Sequence, residues 1–202
     1  MTGRTIVITS GKGGVGKTTA TANLGTALAM RGQKVVVIDA DIGLRNLDVI
    51  MGLENRIVYD LVNVIEGKCK MHQAMIRDKH QLELFLIPAA QTRDKDSIEP
   101  EQLRELCEKL EQEFDYVLID CPAGIEGGFK NAIGAAKEAI LVTTPEVSAI
   151  RDADRVIGLL EASELHRPKL IINRINTNLV KHGDMMDKDD IVELLSVEIL
   201  GL

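Results

Sequence analysis

Aromatic residues are almost missing from this chain, which holds no Trp, two Tyr and three Phe in 202 residues. A core built without them must use Ile, Val, Leu, Ala and Met, as sheets covered by helices do, and the 45% hydrophobic content is that of a globular domain. Cysteine is scarce too. Cys69, Cys107 and Cys121 are isolated, odd in number and free of Cys-x-x-Cys spacing, which argues against a disulfide frame or a zinc site and for reduced thiols in a cytoplasmic protein. No apolar run approaches the ~20 residues of a membrane span. A strand pattern that begins by about residue 5 leaves no room for a signal or transit peptide. Basic residues are the minority, 24 Lys and Arg against 31 Asp and Glu, and the net charge of −7 argues against a broad nucleic-acid footprint.

What is present is an alternation. Short β-branched runs at 5–9, 34–38, 84–88, 116–120, 139–143, 169–173 and 197–201 are separated by helical stretches. Most runs are apolar on both faces, the mark of parallel strands buried between helix layers. One helix is predicted over 17–31, with Leu24, Ala27 and Leu28 on one face and Gly32 placed to cap its end. Another is predicted over 100–112, with Leu103, Leu106 and Leu110 as its buried stripe, and a third over 187–196, with Ile191, Leu194 and Leu195 behind an acidic first turn. The order implies an α/β fold, a three-layer, doubly wound, mostly parallel sheet in a single domain over 1–202, with its ligand at the carboxyl ends of the strands. The last run has no covering helix after it, so the natural protein is expected to be longer than this sequence.

Ser10-Gly11-Lys12-Gly13-Gly14-Val15-Gly16-Lys17-Thr18-Thr19 lies between the first strand and the first helix and fits the phosphate-loop pattern G-x-x-x-x-G-K-[ST]. Gly11, Gly13, Gly14 and Gly16 let the backbone, with Val15, wrap a polyphosphate and point N–H groups inward. The helix start adds its positive dipole end. Lys17 is expected to reach the β- and γ-phosphates, with the Thr18 hydroxyl on magnesium and Thr19 beside it in the ATP site. The fold expectation becomes that of a P-loop NTPase.

Further candidates sit at other strand ends. Asp39 and Asp41, two apart, can both face the γ-phosphate while Ala40 turns away, and Asp39 joins Thr18 and Asp120 as a candidate Mg2+ ligand. Asp120 closes an apolar strand in the manner of the metal-side strand of phosphate-loop enzymes. Cys121 has no His near it and reads as a small packing residue. Asn173, with Arg174 beside it, can pair its amide with an adenine edge or simply form a turn. Lys12 is surplus to a single site. It is either a general attraction for phosphate or a lysine that crosses a dimer interface like an arginine finger.

Residues 12–18 resemble the deviant Walker A motif of the ParA/MinD ATPases. Asp39-Ala40-Asp41-Ile42-Gly43-Leu44-Arg45-Asn46-Leu47-Asp48, together with 58–65, 88–96, 120–126 and 144–155, is similar to the branch of that family that positions the bacterial division septum. The resemblance covers essentially the whole chain. It implies an ATP-dependent homodimer, closed face to face around two ATP molecules, with Lys12 reaching across. In that picture Lys12, Lys17 and Asp41 are catalytic, Asp41 positioning or polarising the attacking water. Thr18 and Asp120 attend magnesium, and Asn173 reads adenine. It further implies a MinC-type division inhibitor bound at 148–154, through Ser148, Arg151, Asp152 and Asp154, and a MinE-type regulator that stimulates hydrolysis. The dimer's reversible attachment to anionic membrane, at the inner face of the cell membrane, uses a basic amphipathic C-terminal helix. That helix has no counterpart here, since 187–196 is short and acidic at its start, so attachment is expected of the full-length family member.

Two other functions compete. A ParA-type partition ATPase binding nonspecific DNA is disfavoured by the net charge of −7, and no nucleic-acid partner is expected. An iron–sulfur reductase sharing the phosphate loop needs cysteines placed symmetrically at a dimer face, which the scattered three do not supply.

Overall fold

The apolar runs become strands β1 (Arg4–Thr9), β2 (Val35–Asp39), β4 (Leu84–Ile87), β5 (Tyr116–Asp120), β6 (Glu138–Thr143), β7 (Lys169–Ile172) and β8 (Glu198–Gly201), and a two-residue strand β3 (Ile76–Arg77), which no predicted run covers, joins them. The computed structural model describes residues 2–80, 83–93, 97–125 and 127–202; Asp94, Lys95, Asp96 and Glu126, which end two stretches of the family resemblance, lie outside the described residues. The strands form one sheet in the order β3-β4-β2-β5-β1-β6-β7-β8, parallel throughout except for the short antiparallel β3–β4 pair at one edge. The chain leaves β1 toward β2 on one side, and after β5 has returned between them it continues to β6, β7 and β8 on the other. This reversal beside β1 opens the crevice in which doubly wound sheets hold ligands.

The helices are α1 (Lys17–Ala29), α2 (Leu47–Ile50), α3 (Leu61–Ile65), α4 (Met71–Ala74), α5 (Pro100–Leu110), α6 (Gly127–Ala135), α7 (Val147–Ala162), α8 (Thr177–His182) and α9 (Lys188–Leu195). Two cores follow from the period of two along each strand. Val35 and Val37 join Ala22 and Ala29 of α1 and Leu47 of α2 on one face. Val36 and Ile38 join Leu103 of α5, Phe129 of α6 and Val156 of α7 on the other. The α/β fold with helices on both faces is therefore the one expected.

Two predicted faces are corrected. On α1 the buried line is Lys17, Thr21, Ala22, Gly25 and Ala29, whereas Ala27 is exposed and Leu24 and Leu28 are half-buried. Small residues win because the helix lies directly on the sheet: a Cβ at Gly25 would stand 2.9 Å from Val37 Cγ1. The helix also ends at Ala29, with Gly32 just beyond it at φ +80 and its N–H bonded to the Ala29 carbonyl. On α9, Ile191 and Leu195 are buried but Leu194 is 59% exposed. Asp187 caps this helix, accepting from the N–H groups of Asp189 and Asp190. At the sheet edge, β8 pairs with β7 on one side only and is half-exposed.

Candidate functional site

The crevice beside β1 holds a cleft of about 510 Å³ lined by Lys12, Gly13, Gly14, Gly16, Lys17, Thr18, Thr19, Asp41 and Arg174 of the expected residues. The loop over 10–16 shapes it. Gly14 (φ +79) and Gly16 (φ +98) occupy the left-handed region that a side chain strains, and Gly16 is the N-cap of α1. A Cβ at Gly13 or Gly14 would meet nothing within 4 Å, so these two face open space. Gly11 has a different reason to be glycine. A Cβ there would lie 2.4 Å from the backbone carbonyl of Asp152 on α7, so the loop rests on that helix.

Below the loop, buried charge is concentrated. Lys17 Nζ donates to Asp120 Oδ1 at 2.8 Å, and the Thr21 hydroxyl, one turn along α1, donates to the same oxygen at 3.1 Å. Asp120 and Asp39 stand opposite each other in the β2–β5 register, each 1% exposed. Burial first, and then the Asp120 charge, push the Asp39 carboxyl up to about 7, against the N–H groups of Asp41 and Leu47 that it accepts at 3.0 and 3.2 Å. Those two bonds close the loop carrying Asp41 onto the end of β2. Arg45, at φ +42, closes its far side through Nε to the buried Asp48 carboxylate at 2.7 Å.

The donors fit a magnesium ion. Thr18 could supply a hydroxyl and Asp39 and Asp120 carboxylates, all hard oxygens, and a divalent cation would offset both the burial and the Asp120 charge that raise Asp39. No group of three or more His, Cys, Asp or Glu side chains that could cage a metal occurs among the described residues.

Lys12 reaches sideways, its Nζ 3.2 Å from Ser148 Oγ and 3.6 Å from the Glu146 carboxylate at the start of α7. Of the expected partner residues, Ser148 thus touches the phosphate loop, and Asp152 abuts Gly11. Arg151 and Asp154 instead line a separate cleft of about 250 Å³ with Val147, Ile150, Met186, Leu194 and Leu195. Asn173 lies under the loop, and its side-chain amide, expected on adenine, is engaged by protein groups. Nδ2 donates to the Val15 carbonyl at 2.8 Å, and Oδ1 accepts from the Arg174 N–H at 2.9 Å. Cys121 is fully buried with its thiol pushed up to about 12 by burial, which suits packing and not nucleophilic chemistry.

Sequence reasoning missed the wall opposite the loop. Leu44, Asn46, Val49 and Ile50 line the cleft, with Leu44 and Val49 each 62% exposed. It also missed Thr21, whose position four residues after Lys17 on one helix face was the available signal.

A family model described as an AAA domain (AAA_31) matches residues 3–172. The chain is 63% identical over 202 residues to the septum site-determining protein MinD of Bacillus subtilis, covering 99% of this chain and 75% of that protein. Among solved structures, the MinC:MinD cell division protein complex of Aquifex aeolicus superposes with a TM-score of 0.90 at 54% identity, covering 97% of this chain and 79% of that one. MinD of Pyrococcus horikoshii in complex with Mg-ADP superposes with a TM-score of 0.83 at 33% identity, covering 98% and 79%.

Proposed function

The chain belongs to the ParA/MinD family, in its septum site-determining MinD branch, and from that premise we propose that it is a magnesium-dependent ATPase whose hydrolysis times a switch between monomer and dimer. The observation that carries this reading is the buried Lys17–Asp120 pair beneath a glycine-rich loop at the start of α1. It joins phosphate-binding and metal-binding groups at one point. Lys17 and the loop N–H groups hold the β- and γ-phosphates at the positive end of α1. Thr18, Asp39 and Asp120 would hold magnesium, which neutralises phosphate charge when bound. Asp41, at the cleft wall, positions the water whose oxygen bonds to the γ-phosphorus as the bond to the bridging oxygen breaks, giving ADP and phosphate. Lys12 leaves Ser148 and Glu146 to neutralise the triphosphate of a second copy.

By the same reading the dimer attaches reversibly to anionic membrane, is released under a MinE-type regulator, and recruits a MinC-type inhibitor around Ser148, Arg151, Asp152 and Asp154. The Aquifex complex, in which a MinD and a MinC are paired, supports that last step. The reading is tested by phosphate release from ATP with and without magnesium, alongside sedimentation of the Asp41→Ala chain with ATP. Absence of turnover together with absence of a nucleotide-dependent dimer ends it.

A further inference from the structure

We propose that Asn173 is a positioning residue of the phosphate loop, gripping the Val15 carbonyl so that the Gly16 N–H is turned into the cleft. This rests on the nucleotide-site reading and deepens it. The grip spans 158 positions of sequence, from the end of β7 to the loop after β1, and is 2.8 Å long. Asn173 is itself held: its backbone N–H donates to the Thr143 carbonyl at 2.8 Å, prolonging the β6–β7 ladder. Its Oδ1 accepts from the Arg174 N–H, and since a carbonyl at one end needs a donor and an N–H at the other needs an acceptor, only one amide orientation satisfies both.

The consequence follows from peptide geometry. All described peptide bonds are trans, and in a trans, planar peptide the carbonyl and the following N–H point in opposite directions. Fixing the Val15 oxygen toward β7 therefore aims the Gly16 N–H away from β7, and Gly16 lines the cleft. No acceptor for that N–H occurs among the described residues. The same contact explains the glycine, because a Cβ at position 16 would stand 2.3 Å from Asn173 Nδ2. Asn173 does not line the cleft, whereas Arg174 does. In this arrangement its amide serves the loop that holds the phosphates.

The test is calorimetry with magnesium and three ligands, ATP, GTP and inorganic tripolyphosphate, on the wild-type chain and Asn173→Ala. Loss of one aligned donor to a charged ligand should weaken all three by a common factor of about ten. Weakening of ATP alone makes Asn173 a base reader and overturns the positioning role, as does unchanged affinity for all three. A wild-type chain that binds none of them overturns the nucleotide site itself. NMR of the wild type keeps the question open to refutation if the variant does not fold. Tripolyphosphate should shift the Gly16 amide strongly while the Asn173 side-chain amide stays bonded; an unmoved Gly16 amide sinks the proposal. Where Asn173→Ala folds, a reduced Gly16 response is the readout that general loosening of the fold does not produce selectively.

Discussion

Asp39 and Asp120 are in register on neighbouring parallel strands, so two carboxylates that are each 1% exposed are buried side by side at the ends of β2 and β5. Lys17 serves only one of them directly, through Asp120 Oδ1.

The unserved carboxyl makes stability depend on pH. With its folded value raised to about 7 from an ordinary 3.8, Asp39 is protonated in both states below pH 3.8 and ionised in both above 7. Between these limits only the folded state holds the proton, so the contribution is full at low pH and lost as pH rises through 7. Asp39→Asn removes the ionisation. Denaturant melts should therefore place this variant higher relative to wild type at pH 8 than at pH 5, by on the order of a few kcal/mol. An equal difference at both pH values refutes the raised Asp39.

Lys17→Ala should abolish nucleotide binding, because the main cation facing the phosphates is lost. It should also destabilise the unliganded fold by about 3 kcal/mol, since Asp120 is left buried and unpaired beside Asp39. Adding Asp120→Asn should recover much of that stability without recovering binding. Titration calorimetry and urea melts read the two effects separately, and near-wild-type ATP affinity would defeat the phosphate-loop assignment.

Lys12→Ala should bind ATP as a monomer, because Lys17 and the loop amides remain. It should not form the nucleotide-dependent dimer, where an unpaired triphosphate charge at the interface costs on the order of several kcal/mol. Asp41→Ala should dimerise and fail to hydrolyse. Sedimentation with ATP compares the two, and equal dimerisation makes Lys12 an ordinary loop lysine.

Arg45→Ala should slow hydrolysis by about tenfold with little change in ATP affinity, because the Asp41 loop loses the pair that closes it and not a nucleotide contact. Single-turnover rates beside binding constants check this. A fall in affinity with an unchanged rate would assign the pair to binding.

Much of this molecule was legible along the chain. The strand ends at Asp39 and Asp120 and the loop over 10–16 are local patterns, in which residue type and neighbours carry the information. What was hidden depends on distance in sequence. Lys17 meets Asp120 across 103 positions and Asn173 meets Val15 across 158, and no periodicity reports such contacts. The buried face of α1 does not follow the apolar residues of the helix, because close approach to the sheet selects by size and favours Gly25. The wall at Leu44, Val49 and Ile50 was hidden for the converse reason: apolar residues are expected inside, and these are exposed.

That seat of Gly25 has a mechanical side. With Val37 Cγ1 and Leu84 Cδ1 at 2.9 and 3.3 Å from where a Cβ would stand, α1 has no slack against the sheet. A helix so bedded is an anvil. When a ligand presses on the loop at its head, α1 cannot settle further onto the strands. The yielding falls instead to the opposite side of the cleft, where the Asp41 loop is tied down by the Asp39 carboxylate, by the Gly43 N–H on the Ala90 carbonyl and by the Arg45–Asp48 pair.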